Sequence, residues 1–287
     1  KVLKIIWVHE NLKRDTQAYS KFNLLVMFAS VSLWKRNHPE DHTVIYVDPM
    51  TYELLNKLEV LSLWDEVISI DFEHNFNKEV FWAGTKLQVL ALQTEPCVIM
   101  DGDTLVFKPF KHNFKEGRVL VANYENGRGY YPTNLDPYVR KLSYRARWQT
   151  ESCNVSFLYL PDPIFTQKYA NLSIKLMEEL TLLKAPHSKY LIFAEQLLLR
   201  HLLDKNKVDY LPVISTPWDC DKWQWESKPG EGIISIEDSW DTFRHYGPLK
   251  AWYKKDDPDH PYKEETEMLL NCINFHKLID LSSIKRQ

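Results

Sequence analysis

CVIMDGDTLVFKPF, from Cys97 to Phe110, runs an apolar segment straight into two carboxylates. Cys97–Met100 reads as a buried strand. Side chains two residues apart on an extended chain point the same way, so Asp101 and Asp103 can converge on one point beyond the strand end. Gly102 between them lets backbone or ligand approach closely. Two hard oxygen ligands at that edge suit Mg²⁺ or Mn²⁺, ions that commonly travel with phosphates. Asp-Gly-Asp also has a plain reading as a turn, since both residue types form turns. The apolar pair Leu105-Val106 resumes at once, which is unusual for a solvent-facing turn and favours the metal reading.

Upstream of this motif the pattern alternates. Strands are expected at Val2–Val8, Thr43–Val47 and Glu66–Ile70, and helices at Ser20–Trp34, Thr51–Leu61 and Val80–Gln93. In the first helix Phe22, Leu25, Val26, Ala29 and Leu33 fall on one face. This β-α-β-α-β-α-β order predicts a parallel α/β sheet, in which ligands bind beyond the carboxyl ends of the strands. Asp101 and Asp103 sit at that edge, and His9-Glu10 leaves the first strand there. Downstream, Val119–Asn123, Val155–Leu160 and Val208–Leu211 read as strands, and Pro163–Lys184 and Lys189–Leu203 as helices. A long polar and aromatic excursion from Tyr124 to Thr150 carries a basic run at Arg140–Arg147; its Tyr124–Tyr131 part is a candidate acceptor platform or lid. Pro217–Gly232 is a loop rich in tryptophan. An amphipathic helix is expected from Glu264 onward.

With 287 residues the chain has ample length for a core. It holds ten Trp, fifteen Tyr and thirteen Phe but only eight Gly, which argues against disorder and glycine-rich nucleotide loops. Such rings suit a bulky core and also sugar-stacking surfaces. Net charge is −3, so bulk electrostatics do not favour nucleic acid. Cys97, Cys153, Cys220 and Cys272 are far apart, with no zinc or disulfide spacing, and point to a reducing, cytoplasmic setting. No apolar run approaches the length of a membrane span, so no integral membrane segment is expected.

Near the C-terminus RHYGPLKAWY, Arg244–Tyr253, adds a second set of groups. His245 offers an imidazole nitrogen to a divalent ion, Gly247 gives backbone freedom, and Lys250 can neutralise a phosphate. A turn with a surface lysine is the plain alternative. Together the two segments resemble GT-A glycosyltransferases, especially the glycogenin and lipopolysaccharide galactosyltransferase family. Asp101 and Asp103 match that family's Asp-x-Asp, and His245, Lys250 and Trp252 match its late His-x-x-Gly-x-x-Lys-Pro-Trp. The late motif here is one residue shorter between His and Gly, and Ala251 replaces the Pro.

The resemblance implies a GT-A fold, a Rossmann-like mixed sheet flanked by helices, as a single domain over 1–287. Residues 1–110 would be its nucleotide-sugar half, 111–263 its acceptor-side half and 264–287 a C-terminal helix. It also implies a metal held by Asp101, Asp103 and His245, with Mn²⁺ (or Mg²⁺) as cofactor, and Lys250 on the donor diphosphate. Lys86 matches a basic residue that reaches the donor; Ser152 or Asn154 would bind the donor sugar; Glu195-Gln196 resembles an Asp-Gln pair beside the transferred sugar. His9 and Glu10 are candidate contacts for the nucleotide. Trp218, Trp223 and Trp225 form a candidate acceptor platform.

The activity so implied is transfer of a hexose from a nucleotide-diphosphate donor, a UDP-sugar by expectation, to a glycan, lipid-linked or protein acceptor, as in polysaccharide biosynthesis. Retention of configuration is implied; were the enzyme inverting, Glu195 would be the base. Peripheral membrane association through a partner or fused domain is compatible with it. Two other readings stand beside it. A catalytically silent sugar- or protein-binding module would keep the fold without turnover. A haloacid-dehalogenase-type phosphatase fits poorly, because Thr104 directly follows Asp103 where that family's motif has a residue between.

Overall fold

A computed structural model describes residues 2–10, 21–73, 75–110, 114, 117–127, 129–185, 189–245 and 268–269. In chain order the elements begin β1 (Lys4–His9), α1 (Lys21–Asn37), β2 (His42–Val47), α2 (Pro49–Lys57), β3 (Glu66–Ser69), α3 (Gly84–Ala91) and β4 (Cys97–Met100). They continue with β5 (Thr104–Val106), β6 (Arg118–Val121), β7 (Tyr124–Asn126), β8 (Glu151–Cys153) and β9 (Phe157–Leu160). After α4 (Pro163–Leu182) come α5 (Lys189–Ile192), a π-helical turn at Phe193–Leu197 and α6 (Leu198–Asn206). Last are β10 (Asp209–Pro212), β11 (Trp218–Asp219), β12 (Gln224–Trp225), α7 (Ile236–Thr242) and β13 (Phe243–His245). The architecture is mixed α/β. It divides into two compact units, each built from discontinuous segments: Lys1–Asp71, Met100–Lys111 and Trp240–Gln287, and Phe72–Ile99 with His112–Ser239.

In the first unit β1, β2 and β3 are parallel, with Trp7 opposite Ile45 and Ile45 opposite Val67. Helix α1 is enclosed rather than one-faced: Leu24 through Val31 are all buried, because this helix packs inside the unit. Two of its polar side chains bond β5. Ser30 donates to the Thr104 carbonyl at 2.6 Å and accepts from the Trp7 indole at 3.0 Å, while Asn37 donates to the Val106 carbonyl at 2.8 Å. α2 starts earlier than its apolar spacing suggests, since Asp48 caps the Thr51 amide at 2.7 Å and Pro49 opens the first turn. It ends sooner because Glu59 takes a left-handed φ of 58°.

The second unit carries the strand order β10-β6-β9-β4, with β10 parallel and β9 antiparallel to β6. A smaller sheet runs β12-β11-β7-β8. Helix α3 packs on α4 and begins only at Gly84, where a Cβ would come 2.2 Å from the Phe76 ring. The helix expected over Lys189–Leu203 is interrupted by the π turn, a local insertion that hydrophobic spacing does not encode. Within the Tyr124–Tyr131 segment, Tyr124–Asn126 is strand β7 and Tyr131 is buried. Pro217–Gly232 contains the β11–β12 hairpin. The expected helix over 264–287 lies outside the described residues except for 268–269. None of the described helices is long and apolar enough to cross a membrane.

Candidate metal centre

Strand β4 stops at Met100 and the chain turns, with the Thr104 amide donating to the Asp101 carbonyl at 3.0 Å. Asp101 and Asp103 therefore converge through a β-turn and not through the alternation of an extended strand. The turn reading therefore holds, and the same turn brings the two carboxylates near each other. Gly102 does not take a positive φ among the described glycines, and its missing Cβ faces Met27 at 3.4 Å, an ordinary contact. Close ligand approach at Gly102 is thus not what the geometry provides.

The third group arrives by strand pairing. β13 runs antiparallel to β5 in the register Thr104↔His245, Leu105↔Arg244 and Val106↔Phe243. The ladder continues with the Phe107 amide on the Thr242 carbonyl at 2.8 Å. Phe243 is buried against Phe110, whose ring also meets Trp34 edge-on. The register, anchored by this apolar packing, places His245 beside Asp103: Nε2 lies 3.6 Å from Oδ1. Potential ligand atoms of Asp101, Asp103 and His245 all lie within 4.8 Å of one another. Two ligands on one octahedral ion are roughly 3 Å apart when adjacent and ~4.3 Å when opposite, from bond lengths near 2.1 Å. Only small side-chain adjustments separate the group from that geometry. Asp103 is buried at 5 % exposure, so its charge needs the compensation that an imidazolium or a cation gives.

The second unit holds a buried polar network. The Lys86 ammonium lies 2.8 Å from Glu195 Oε1, with side chains only 9 % and 6 % exposed, and also donates to the Val155 carbonyl at 3.2 Å. Lys86 is thus committed to Glu195, and Glu195 is not the solvated helix face that its polarity suggests. Glu125 accepts from Tyr131 Oη at 2.7 Å and from Asn154 Nδ2 at 2.6 Å. Ser152 donates to Tyr131 Oη at 2.5 Å, and Gln196 Oε1 lies 3.5 Å from the same hydroxyl. Burial, with the Glu125 charge second, raises the Tyr131 hydroxyl well above its ordinary range, so it stays a neutral donor. The π turn carries Glu195 and Gln196 into this network.

Glu125 and Tyr131 fall in the Tyr124–Tyr131 segment singled out from the sequence, but their hydrogen bonds to Asn154, Ser152 and each other are not legible there. On the small sheet Glu125 pairs in register with Trp218, and Trp218 with Trp225. Trp218 and Trp225 are half-buried, their ring centroids 5.3 Å apart, whereas Trp223 is 64 % exposed with φ of 57°. Asp221 ties this hairpin to the Gly129 amide at 3.0 Å. His9 and Glu10 stand at the carboxyl end of β1, both partly buried. Lys250 and Trp252 lie outside the described residues.

Fold and site together define a mixed α/β protein with a candidate Asp-Asp-His metal centre. The chain belongs to the family of unknown function DUF6734, whose model matches residues 1–221. Asp101, Asp103 and the polar network lie inside the matched span, and His245 lies beyond it. No curated protein matches the chain significantly.

Proposed function

We propose that this protein is a metal-dependent glycosyltransferase of GT-A type that moves a hexose from a nucleoside-diphosphate donor, a UDP-sugar by preference. The observation that carries the reading is the convergence of Asp101 and Asp103 with His245, about 140 residues further on, through one turn and one strand pair. Their donor set, two carboxylates and an imidazole, fits Mn²⁺ better than Mg²⁺. A bound ion there would neutralise the diphosphate and make it a better leaving group. Asp103, buried and beside His245, would hold the ion, with Asp101 and His245 completing the protein ligands. Lys250 would add charge on the diphosphate.

In transfer, the bond from the anomeric carbon to the diphosphate oxygen breaks and one to the acceptor oxygen forms. Charge developing on the sugar favours nearby carboxylate and amide oxygens. Within the second unit, Gln196, Asn154 and Glu125 bring carboxylate and amide groups together, and these would suit sugar hydroxyls. Glu195, bound by the Lys86 ammonium, is a poor base, since a proton on it would compete with that ion pair. This supports the retaining route, in which the acceptor proton passes to the leaving diphosphate. Lys86 then serves as a positioning residue for Glu195. Trp218, Trp223 and Trp225 would form the acceptor platform, Trp223 being the ring most available for stacking on a sugar face.

The test is turnover of a panel of nucleotide sugars with Mn²⁺ and with EDTA. Metal-dependent hydrolysis or transfer, lost in Asp103→Ala with the fold intact, is expected. Glycan binding that ignores metal, with no turnover of any nucleotide sugar, would indicate a silent binding module instead.

A further inference from the structure

We propose that the segment Leu135–Arg147, with Leu182 and Lys205, is a surface that docks on an anionic lipid bilayer. The inference does not depend on the glycosyl-transfer reading. It starts from how this stretch is built. Val139, Leu142 and Trp148 are buried, Val139 opening a short 3₁₀ turn over Val139–Lys141. Arg140, Lys141, Arg145 and Arg147, interleaved with them, are exposed. The stretch is pinned from three sides. The Ser143 amide donates to Glu179 Oε2 on α4 at 2.7 Å. Tyr144 Oη lies 3.1 Å from His201 Nε2 and accepts from Lys205 at 3.3 Å, both on α6. Asp136 pairs with Lys189 on α5 at 3.3 Å. An ordered scaffold thus holds four cations outward.

The nearby carboxylates are occupied elsewhere. Asp136 is paired with Lys189 at 3.3 Å and bonded by Tyr190, and Glu179 is taken by Ser143. Among the described residues, no ion pair involves Arg140, Lys141, Arg145 or Arg147. Four exposed cations without a carboxylate partner within so short a stretch, Arg145 donating only to the Arg140 carbonyl, stand out in a chain of net charge −3. Leu135 and Leu182 flank them, each 83 % exposed, more than any other large apolar side chain described. Leu182 follows Glu179 by about one helical turn, on the side of α4 that receives Ser143. Exposed leucines beside unpaired cations match the interfacial layer of a membrane, where apolar tips enter the headgroup region and cations meet anionic lipids.

Single-stranded nucleic acid would also meet the charge, but it needs aromatic faces to stack on. Here Trp148 is buried at 4.5 Å from the Phe193 ring centroid, and Tyr144 is turned onto His201. The leucines, not rings, are what this surface offers. The favoured occupant is therefore the bilayer.

The experiment is sedimentation of the full chain with phosphatidylcholine vesicles, with and without phosphatidylglycerol, at low and high salt. Binding to the anionic vesicles alone, weakened by salt, is expected. The variant with Arg140, Lys141, Arg145 and Arg147 all changed to Gln should bind about a hundredfold or more weaker, from roughly 1 kcal/mol per surface cation. Leu135→Ser with Leu182→Ser should weaken binding about tenfold at unchanged charge. Every substituted side chain is exposed, and matching thermal melts check the fold. Glycerol phosphate at millimolar levels should not displace the protein; displacement would mean a free-anion site and overturn the docking surface. Equal binding to neutral vesicles, retention by the Gln variant, or binding of single-stranded RNA without vesicle binding would each overturn it as well.

Discussion

Replacing Lys86 by Met removes the ammonium from Glu195 while keeping the length and apolar stem of the side chain. In the native protein the two groups lie 2.8 Å apart and almost fully enclosed, and Lys86 also satisfies the Val155 carbonyl. Breaking such a pair from one side leaves an uncompensated buried carboxylate, a cost of about 3–5 kcal/mol. That is a large part of a typical domain's ~5–15 kcal/mol of stability. Urea unfolding followed by tryptophan fluorescence reads the loss as a lower midpoint at unchanged slope. Lys86→Met combined with Glu195→Leu should recover most of it, because the orphan charge is gone, giving a coupling of about 2 kcal/mol or more. A loss below about 1 kcal/mol for Lys86→Met alone would refute the buried pair, since exposed pairs contribute no more than that. Lys86 would then be free to act on the diphosphate directly, as the sequence resemblance implied.

Two further predictions address the first unit. Burial alone would raise the Asp65 carboxyl, but hydrogen bonds from Lys35 and from the Thr43 amide and hydroxyl outweigh it and lower it to about 2. A carboxylate depressed in the folded state contributes stability above its unfolded value, lost as pH falls through the folded one. The shift is nominally about 2 kcal/mol and, with Asp65 and Lys35 each 35 % exposed, about 1 kcal/mol after screening. Wild type should therefore exceed Asp65→Asn by about 1 kcal/mol at neutral pH, with the gap closing between about pH 4 and pH 2 in acid titrations of the melting midpoint. Gly102→Ala should change stability by no more than about 0.5–1 kcal/mol and metal affinity only a few-fold, since neither φ nor Met27 demands glycine; loss of metal binding in that variant would restore a ligand-approach role.

The alternating segments up to residue 100 were legible because β1, β2 and the apolar half of α1 are enclosed, and enclosed strands and helices advertise themselves in composition. The Asp-Gly-Asp motif was legible too, though for a different local reason: a β-turn, not strand alternation, brings the carboxylates together. His245 was found by motif resemblance, yet what positions it is the β5–β13 register, a long-range pairing invisible to local pattern. Glu125 was reached only as part of the Tyr124–Tyr131 segment, without an individual role. It joins Asn154, Ser152 and Tyr131 only once the small sheet forms, and nothing in a run of single polar residues foretells that partnership. The π turn likewise depends on packing around Glu195, and helical spacing passes over it.

A divalent ion held by Asp101, Asp103 and His245 can be read by calorimetric titration of Mn²⁺ into the metal-stripped chain, with and without UDP. One ion per chain, bound more tightly when UDP is present and lost in both Asp103→Ala and His245→Ala with unchanged melting, is the predicted result. Mn²⁺ binding that survives either substitution, or that ignores UDP, would contradict the account.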